Sequence, residues 1–376
     1  MDRRSFLKST SAAAAAATTA ATAPLAAAPV AEAASEDTAT GTAGSNAAPA
    51  IASGRCELTL ALPWRDATAG PADRAHRIAR RLEAALDGRW RIVLRHRTED
   101  GIAALAAETA DLYLGTENDN LPYHPAFAFF AALPGAGTFN AEDLVAWLRV
   151  GGGQELWNEL AAGFGVKPFL AGHLGRWPGL WSARPIDSLA DLEGARIAVE
   201  GLARDVVRGV GGEPAAIAAD DMAAALAAGD IAAAEYGGPL ASLELGLPGV
   251  ARHIAGFGIN EGGIGLSLGI RHALWDRLGA TDRLVVAAVL AEETQSALAE
   301  LRAHEKLLRA LIRDRHGVTF RPLPSDVAIA LDRVAEAVVA DAGSGDVMAR
   351  RIDRSYHAFR NAAWGVEGPQ PPTPGV

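Results

Sequence analysis

The chain has one cysteine, Cys56, in 376 residues. No intramolecular disulfide can form, and a thiolate metal cluster is excluded. Lysine is scarce: Lys8, Lys167 and Lys306 stand against 32 arginines. Arginine here reflects a composition bias, so a single one is weaker evidence of anion binding than usual. Basic residues are outnumbered 35 to 45, a net charge of −10. An acidic surface repels a phosphate backbone, which argues against nucleic acid as a partner. The nine histidines form no HExxH or other metal spacing. Beyond the N-terminal segment no apolar run is long enough for a transmembrane helix.

What is present fits one or two domains with a real core: 49% of residues are hydrophobic and 21% charged. The N-terminus reads MDRRSFLKST and then runs into alanine. Arg3 and Arg4, followed by Phe6, Leu7 and Lys8, have the layout of a twin-arginine export signal, with a small-x-small cleavage site at Ala31–Ala33. Residues 1–33 are read as that signal and 34–54 as a flexible linker without packing pattern. Without the signal, 32 basic residues face 43 acidic ones, a net charge of −11.

The hydrophobic pattern then alternates. CELTLALPW from Cys56 is a short apolar strand. In the next segment Ala75, Ile78, Ala79, Leu82 and Leu86 share one helical face, with Gly88 after its end. RWRIVLRH is a second strand, TEDGIAALAAETA a helix and DLYLG a third strand. This βαβαβ rhythm implies a doubly wound sheet with helices on both faces. Two helices broken at Gly151–Gly153 lead to the strand VKPFLAGH. A second rhythm follows. Ser188 and Asp191 have capping-box spacing, ARIAVEG is a strand, LARDVVRGVGG a helix, Asp220 caps DMAAALAAG, and DIAAAEYGG is the next strand. Two α/β blocks suggest two lobes with a cleft between them. From about Leu274 the chain is mostly helical.

Four segments, GGGQELWNELAAGFGVKPFLAG, SLADLEGARIAVEG, AALAAGDIAAAEYGGP and NEGG followed by RHALWDRL, occur in order. Together they resemble the periplasmic solute-binding subunits of TRAP transporters, of the dicarboxylate-binding (DctP) type, closest to the branch that binds 2-oxo acids and related monocarboxylates. The resemblance covers roughly residues 56–320. It implies an α/β fold of two lobes, each a sheet flanked by helices, with hinge strands between and a helical C-terminal region. Lobe 1 is expected over 55–178 and 262–300. Lobe 2 is expected over 179–261 and 301–366, with the C-terminal helices, followed by a disordered tail at 367–376. The implied function is capture of a small organic acid in the periplasm by hinge closure and its delivery to the TRAP membrane subunits. Related 2-oxo acid binders are dimers, so a homodimer exchanging helices after Ser325 is part of the expectation.

In that branch an Arg pairs with the substrate carboxylate, and a cation, often sodium, is held by a Gln, a backbone carbonyl and the Glu of an EGG motif. Carried over, Glu261 falls at the cation-ligating Glu and Tyr236 at the carbonyl position. Trp275 and Trp64 match family aromatics, Trp64 near the cleft. Three positions depart. The carboxylate-binding Arg is Ala198, the Gln falls at Trp177, and the family Asn ten residues after the EGG Glu is Arg271. A buried carboxylate needs a charged partner. Arg196 shares a strand face with Ala198 by alternation, and Arg176 reaches in from the first crossing between lobes. Trp177 and Trp181 are candidates to wall the ligand, and Glu235 faces away from Tyr236 as a hinge or lobe contact. Otherwise no cofactor is expected.

Two other functions compete. GLSLG, Gly265 to Gly269, matches the nucleophile-elbow pattern of a secreted serine hydrolase, with Ser267 as nucleophile and His304, His316 and His357 downstream. The segment alternates like a strand, however, so a binding protein and not an enzyme is the reading adopted. A degenerate binder kept as a sensor would retain hinge motion without a transported solute.

Overall fold

The computed structural model describes residues 55–66, 71–135, 137–176, 179–256 and 258–365. The export signal, the linker, Trp177 and the tail lie outside the described residues. The first block is β1 (Cys56–Ala61), α1 (Pro71–Ala85), β2 (Trp90–Arg95), α2 (Gly101–Ala106) and β3 (Leu112–Gly115). The apolar face read from the sequence is the buried one: Ala75, Ile78, Ala79, Leu82 and Leu86 all pack inside. Asp100 starts α2 by accepting from the Ala103 amide at 2.8 Å.

Then come α3 (Ala128–Ala131), α4 (Ala141–Arg149), α5 (Gly153–Ala162) and β4 (Val166–His173). The helix break falls at the expected glycines. The second block holds β5 (Leu180–Ser182), β6 (Arg196–Ala198), α6 (Ala203–Gly209), β7 (Glu213–Ala215), α7 (Met222–Ala228) and β8 (Ala233–Ala234). It continues with α8 (Pro239–Glu244), α9 (Leu247–Val250) and β9 (His253–Ala255). Last are β10 (Gly265–Arg271), α10 (His272–Arg277), α11 (Ala280–His316), β11 (Thr319–Arg321), α12 (Ser325–Ser344) and α13 (Val347–Trp364).

Two mixed sheets result. The first has the order β2-β1-β3-β10-β4, the second β11-β9-β5-β8-β6-β7. In the first, β1 runs parallel to β2 and β3, while β10 lies antiparallel between β3 and β4. In the second, β6 runs parallel to β7 and β8, and β5 lies antiparallel between β8 and β9. Strands β3 and β10 are buried on both faces apart from the last residue of β10. Burial on both faces explains why LYLG of β3 is a short apolar run.

The chain crosses between the sheets after β4, again before β10, and a third time along α11. That helix has 37 residues, so it is about 55 Å long at ~1.5 Å per residue. Its first half buries Val286 and Leu290 in the core of the first sheet with Leu58, Leu60 and Ile78. Its far end buries Ile312 in the core of the second sheet with Trp181 and Ile254. Thr294 ties the middle to β4 by donating to the Leu170 carbonyl at 3.1 Å.

Three local expectations are corrected. Asp220 does not cap α7: its N-cap is Asp221, without a side-chain cap bond, and the Asp220 carboxylate is paired with Arg65 instead. The strand read from DIAAAEYGG shrinks to two residues, because Glu235 and Tyr236 leave the sheet for contacts described below. Helix α13, expected with the second lobe, packs both on α12 and on the first sheet's helices. Ala349, Ile352 and Tyr356 share a core with Phe129, Phe139 and Trp147. The Tyr356 hydroxyl accepts from the Phe139 amide at 2.8 Å, and Trp147 Nε1 donates to Ser355 at 3.1 Å.

Candidate functional site

The carboxyl ends of β1 and β3 on one sheet meet the carboxyl ends of β6 and β8 on the other. Open α/β sheets bind ligands at this edge, since loops after the strands gather there. Three contacts cross the seam. The Trp64 side chain, after β1, comes against the Tyr236 hydroxyl, after β8. Arg65 Nε pairs with Asp220 at 2.7 Å and Nη2 lies 3.9 Å from Asp221. The Asn118 side chain, after β3, lies against Gly201, after β6; a Cβ on Gly201 would stand 2.4 Å from Asn118 Oδ1.

The interior of the seam is polar. Both amide atoms of Asn118 are buried with no hydrogen-bond partner among the described residues. Burial, reinforced by the negative charges of Asp119 and Glu235, pushes the Glu200 carboxyl up to about 8, while Arg204 opposes it. Burial also raises Asp119, against hydrogen bonds from Thr116 and Tyr113. Arg204, half-buried one residue into α6, is the cation whose charge Glu200 feels. Deeper in the first sheet, burial pushes Glu117 up to about 7, although Asn120 and Ser267 hydrogen-bond to it.

Glu235 is fully buried and holds the GINEGG turn. Its carboxylate accepts from the Ile259 and Asn260 amides at 3.0 and 2.9 Å. Gly258, at φ +86°, makes room: a Cβ there would lie 2.4 Å from Glu235 Oε1. At Gly263 the two crossing segments pass so closely that a Cβ would stand 1.9 Å from the Gly175 carbonyl. The glycines of this stretch thus serve the hinge.

A cavity of ≈490 Å³ lies against these crossings and the middle of α11. Arg74, His173, Arg176, Glu261 and Arg302 are among the residues that line it. Its size suits a small molecule. Arg176 and Glu261 form an ion pair across it, and Arg176 Nε also donates to the Glu261 carbonyl at 3.4 Å. His173 is buried, and desolvation with the charge of Arg74 lowers it to about 3, so it is neutral.

The structure therefore brings Arg176 and Glu261 together and sets Tyr236 at the seam. Ala198 is buried at the end of β6, in one cluster with Tyr236 and Trp181. Arg196 is not brought in: it sits exposed at the start of β6 and donates to the Asp230 carbonyl at 2.7 Å. Trp181 is core, its Nε1 donating to Ser242. Arg271 lies at the far end of β10, paired with Asp111 at 2.6 Å. Its departure from the family Asn therefore does not touch the seam. Asn118, Asp119, Glu200 and Arg204 were missed. The signal for them was positional: each follows closely on the carboxyl end of a strand.

A cation at Glu261 and Tyr236 would need several uncommitted oxygen donors. The Glu261 carboxylate is paired with Arg176, and the Tyr236 carbonyl accepts from Ser242 Oγ at 3.4 Å. Both donors are thus already engaged, and the third position, Trp177, lies outside the described residues. Ser267 does not form a nucleophile elbow either. It lies buried mid-strand, paired with Gly115 and Leu170, and its hydroxyl serves Glu117.

Comparison with known proteins agrees with this architecture. The family model for bacterial extracellular solute-binding protein, family 7 (DctP), matches residues 98–344. A monocarboxylate 2-oxoacid-binding periplasmic protein of Nostoc sp. is 30% identical over 158 residues, 39% of this chain and 43% of that protein. The aligned part thus spans less than half of that relative's length. A TRAP transporter solute-binding protein from Bordetella bronchiseptica, with calcium and picolinate in its site, superposes with a TM-score of 0.77 at 21% identity. That match covers 83% of this chain and 93% of the other. One from Colwellia psychrerythraea, with calcium and pyruvate, gives 0.77 at 20% identity over 83% and 96%. These two likenesses concern the fold. With the family model spanning well over half of its length, the chain belongs to the DctP family, family 7 of the bacterial extracellular solute-binding proteins.

Proposed function

We propose that this chain is the extracytoplasmic solute-binding subunit of a TRAP transporter and captures a small organic acid by closing its two lobes at the seam. The observation that carries this reading is the set of three seam contacts at the strand ends, around an Asn118 amide left without partners. They favour a closed form that shuts on a polar interior. Relatives of known ligand are described with picolinate, pyruvate and 2-oxo acids.

Charge sets the terms of entry. The interior holds more carboxyl groups than cations, and the position of the family's anchoring Arg is Ala198. A carboxylate solute must therefore find its positive partner elsewhere. Arg204 at the seam and Arg176 at the hinge are the two arginines placed for this role, and neither needs a metal. Export through the twin-arginine pathway, a periplasmic location, docking on membrane subunits and dimerisation through the C-terminal helices belong to the same reading. Among the described residues no helix is long and apolar enough to cross a membrane. Enzymatic action has no support from Ser267, as its hydroxyl is committed inside a strand.

A thermal-shift screen tests the proposal. Pyruvate, other 2-oxo acids, lactate, dicarboxylates and aromatic monocarboxylates are added singly to the purified protein. A true solute raises Tm in a concentration-dependent way. Arg204→Ala then weakens that solute at least tenfold, as loss of about 1.5–3 kcal/mol from one charged hydrogen bond requires. A flat response to every acid defeats the carboxylate reading.

A further inference from the structure

The nine histidines have no metal spacing in sequence, yet the fold collects two of them around one carboxylate. Asp66 follows β1, His76 lies on α1 and His96 follows β2. Their ligand-type atoms fall within 4.8 Å of one another, the one group of three or more such residues to do so among the described residues. His76 Nε2 is 3.1 Å from Asp66 Oδ1, and His96 Nε2 is 3.3 Å from the same oxygen. We propose that Asp66, His76 and His96 form a divalent transition-metal site of the zinc class, separate from the solute site.

Three arguments support it. The first is size. Zinc binds imidazole nitrogen at about 2.0–2.1 Å and carboxylate oxygen at about 2.0–2.2 Å, so the edges of its tetrahedron are roughly 3.3–3.5 Å long. Both nitrogen–oxygen distances come close to such an edge.

The second is the tautomer of His96. Its Nδ1 faces the Trp64 carbonyl at 3.3 Å, and a carbonyl only accepts. A neutral ring gives its single proton to that carbonyl and turns the Nε2 lone pair toward the Asp66 carboxylate. Two lone pairs then face each other unless a cation stands between them. An imidazole fixed by a carbonyl on one nitrogen and aimed at a metal with the other is the usual outer-shell arrangement. The rival is an imidazolium that bonds both oxygens.

The third is access. The side chains of Asp66 and His76 are 73% and 45% exposed, and all three residues line an open groove of ≈720 Å³. Water therefore completes the coordination shell. Two imidazoles and one carboxylate select late first-row divalent ions over calcium or magnesium, which prefer all-oxygen sites.

The site also sits next to the seam. Trp64 comes against Tyr236, Arg65 pairs with Asp220, and Asp66 is the metal ligand. A metal at Asp66 therefore restrains the segment that clasps the second sheet.

The test is a calorimetric titration of Zn²⁺ into tag-free, chelator-treated protein without solute. One saturable site at micromolar metal is expected, together with a metal-dependent rise in Tm. His76→Ala and His96→Ala, each checked for folding by its own unfolding transition, should bind at least tenfold more weakly. X-ray absorption at the zinc edge should show imidazole nitrogen at about 2.0 Å. Absence of a saturable one-to-one site, unchanged binding in both variants, or weak multi-site binding spread over surface histidines would each overturn the proposal. A wild type that binds no Zn²⁺ would instead leave His96 as an imidazolium.

Discussion

Arg176 and Glu261 decide between two chemistries within a few ångströms. In the resembling branch a carboxylate at Glu261 helps hold a metal cation. Here a guanidinium pairs with it. The pair is partly exposed, with 45% of the Arg176 side chain accessible, so its worth for stability is small, about 0–1 kcal/mol. Glu261→Gln should therefore lower unfolding free energy by no more than about 1 kcal/mol. Solute binding should be equal in sodium and potassium for wild type and variant alike. A sodium-specific stabilisation that vanishes in Glu261→Gln would restore the ion to this position.

The elements explain which parts of this were readable beforehand. Helix α1 was legible because its apolar face has a strict 3.6-residue period, and every residue on that face is buried. The crossing glycines were legible as a place where backbone comes close to something, but not what. Gly258 meets the Glu235 carboxylate and Gly263 meets the Gly175 carbonyl, and both partners are far off in sequence. The side chosen by α13 was not readable either, because its amphipathic face fits any apolar groove. Tertiary contacts with Phe139 and Trp147 settle it. The metal triad escaped for the same reason, since each ligand comes from a different element at intervals no spacing rule contains. The sequence resemblance implied Ala198 and Glu261 as site positions. Only the fold revealed that Asn118 meets the turn after β6, which carries Glu200 and leads to Arg204.

An aromatic stack lies beneath α13. Phe130 lies between Trp147 and Trp157, with centroid separations of 5.2 and 5.1 Å and nearly parallel planes. Trp157 is wholly buried. Trp157→Ala should cost about 3–5 kcal/mol in urea unfolding. A loss under about 1 kcal/mol would mean that the stack is not part of the core.

Taken whole, several acids among the described residues hold their protons more tightly folded than unfolded, Glu117, Glu235 and Glu200 most strongly. Glu117 and Glu235 are pushed up to about 7 and Glu200 to about 8, chiefly by burial, from an ordinary value of 4.5. The unfolded chain ionises them first as pH rises. Between about pH 4.5 and 8 these carboxyls bind more protons in the folded state, so their contribution falls with rising pH, while His173, neutral when folded, opposes them below its ordinary value of 6.5. The carboxyl contribution is fully present below the unfolded value and lost through the folded one. Tm should decline across this window, and Glu200→Gln should flatten the upper part of the decline. A rise in Tm from pH 5 to 8, unchanged in the variant, would place these carboxyls in water.

Closure itself is most directly read by small-angle X-ray scattering on the protein alone and with the best acid from the thermal screen. The account predicts a smaller radius of gyration with solute. It also predicts that Arg65→Ala, which removes the clasp to Asp220, shifts the solute-free protein toward the larger value. Identical profiles with and without a solute that demonstrably raises Tm would contradict closure of two lobes on their ligand.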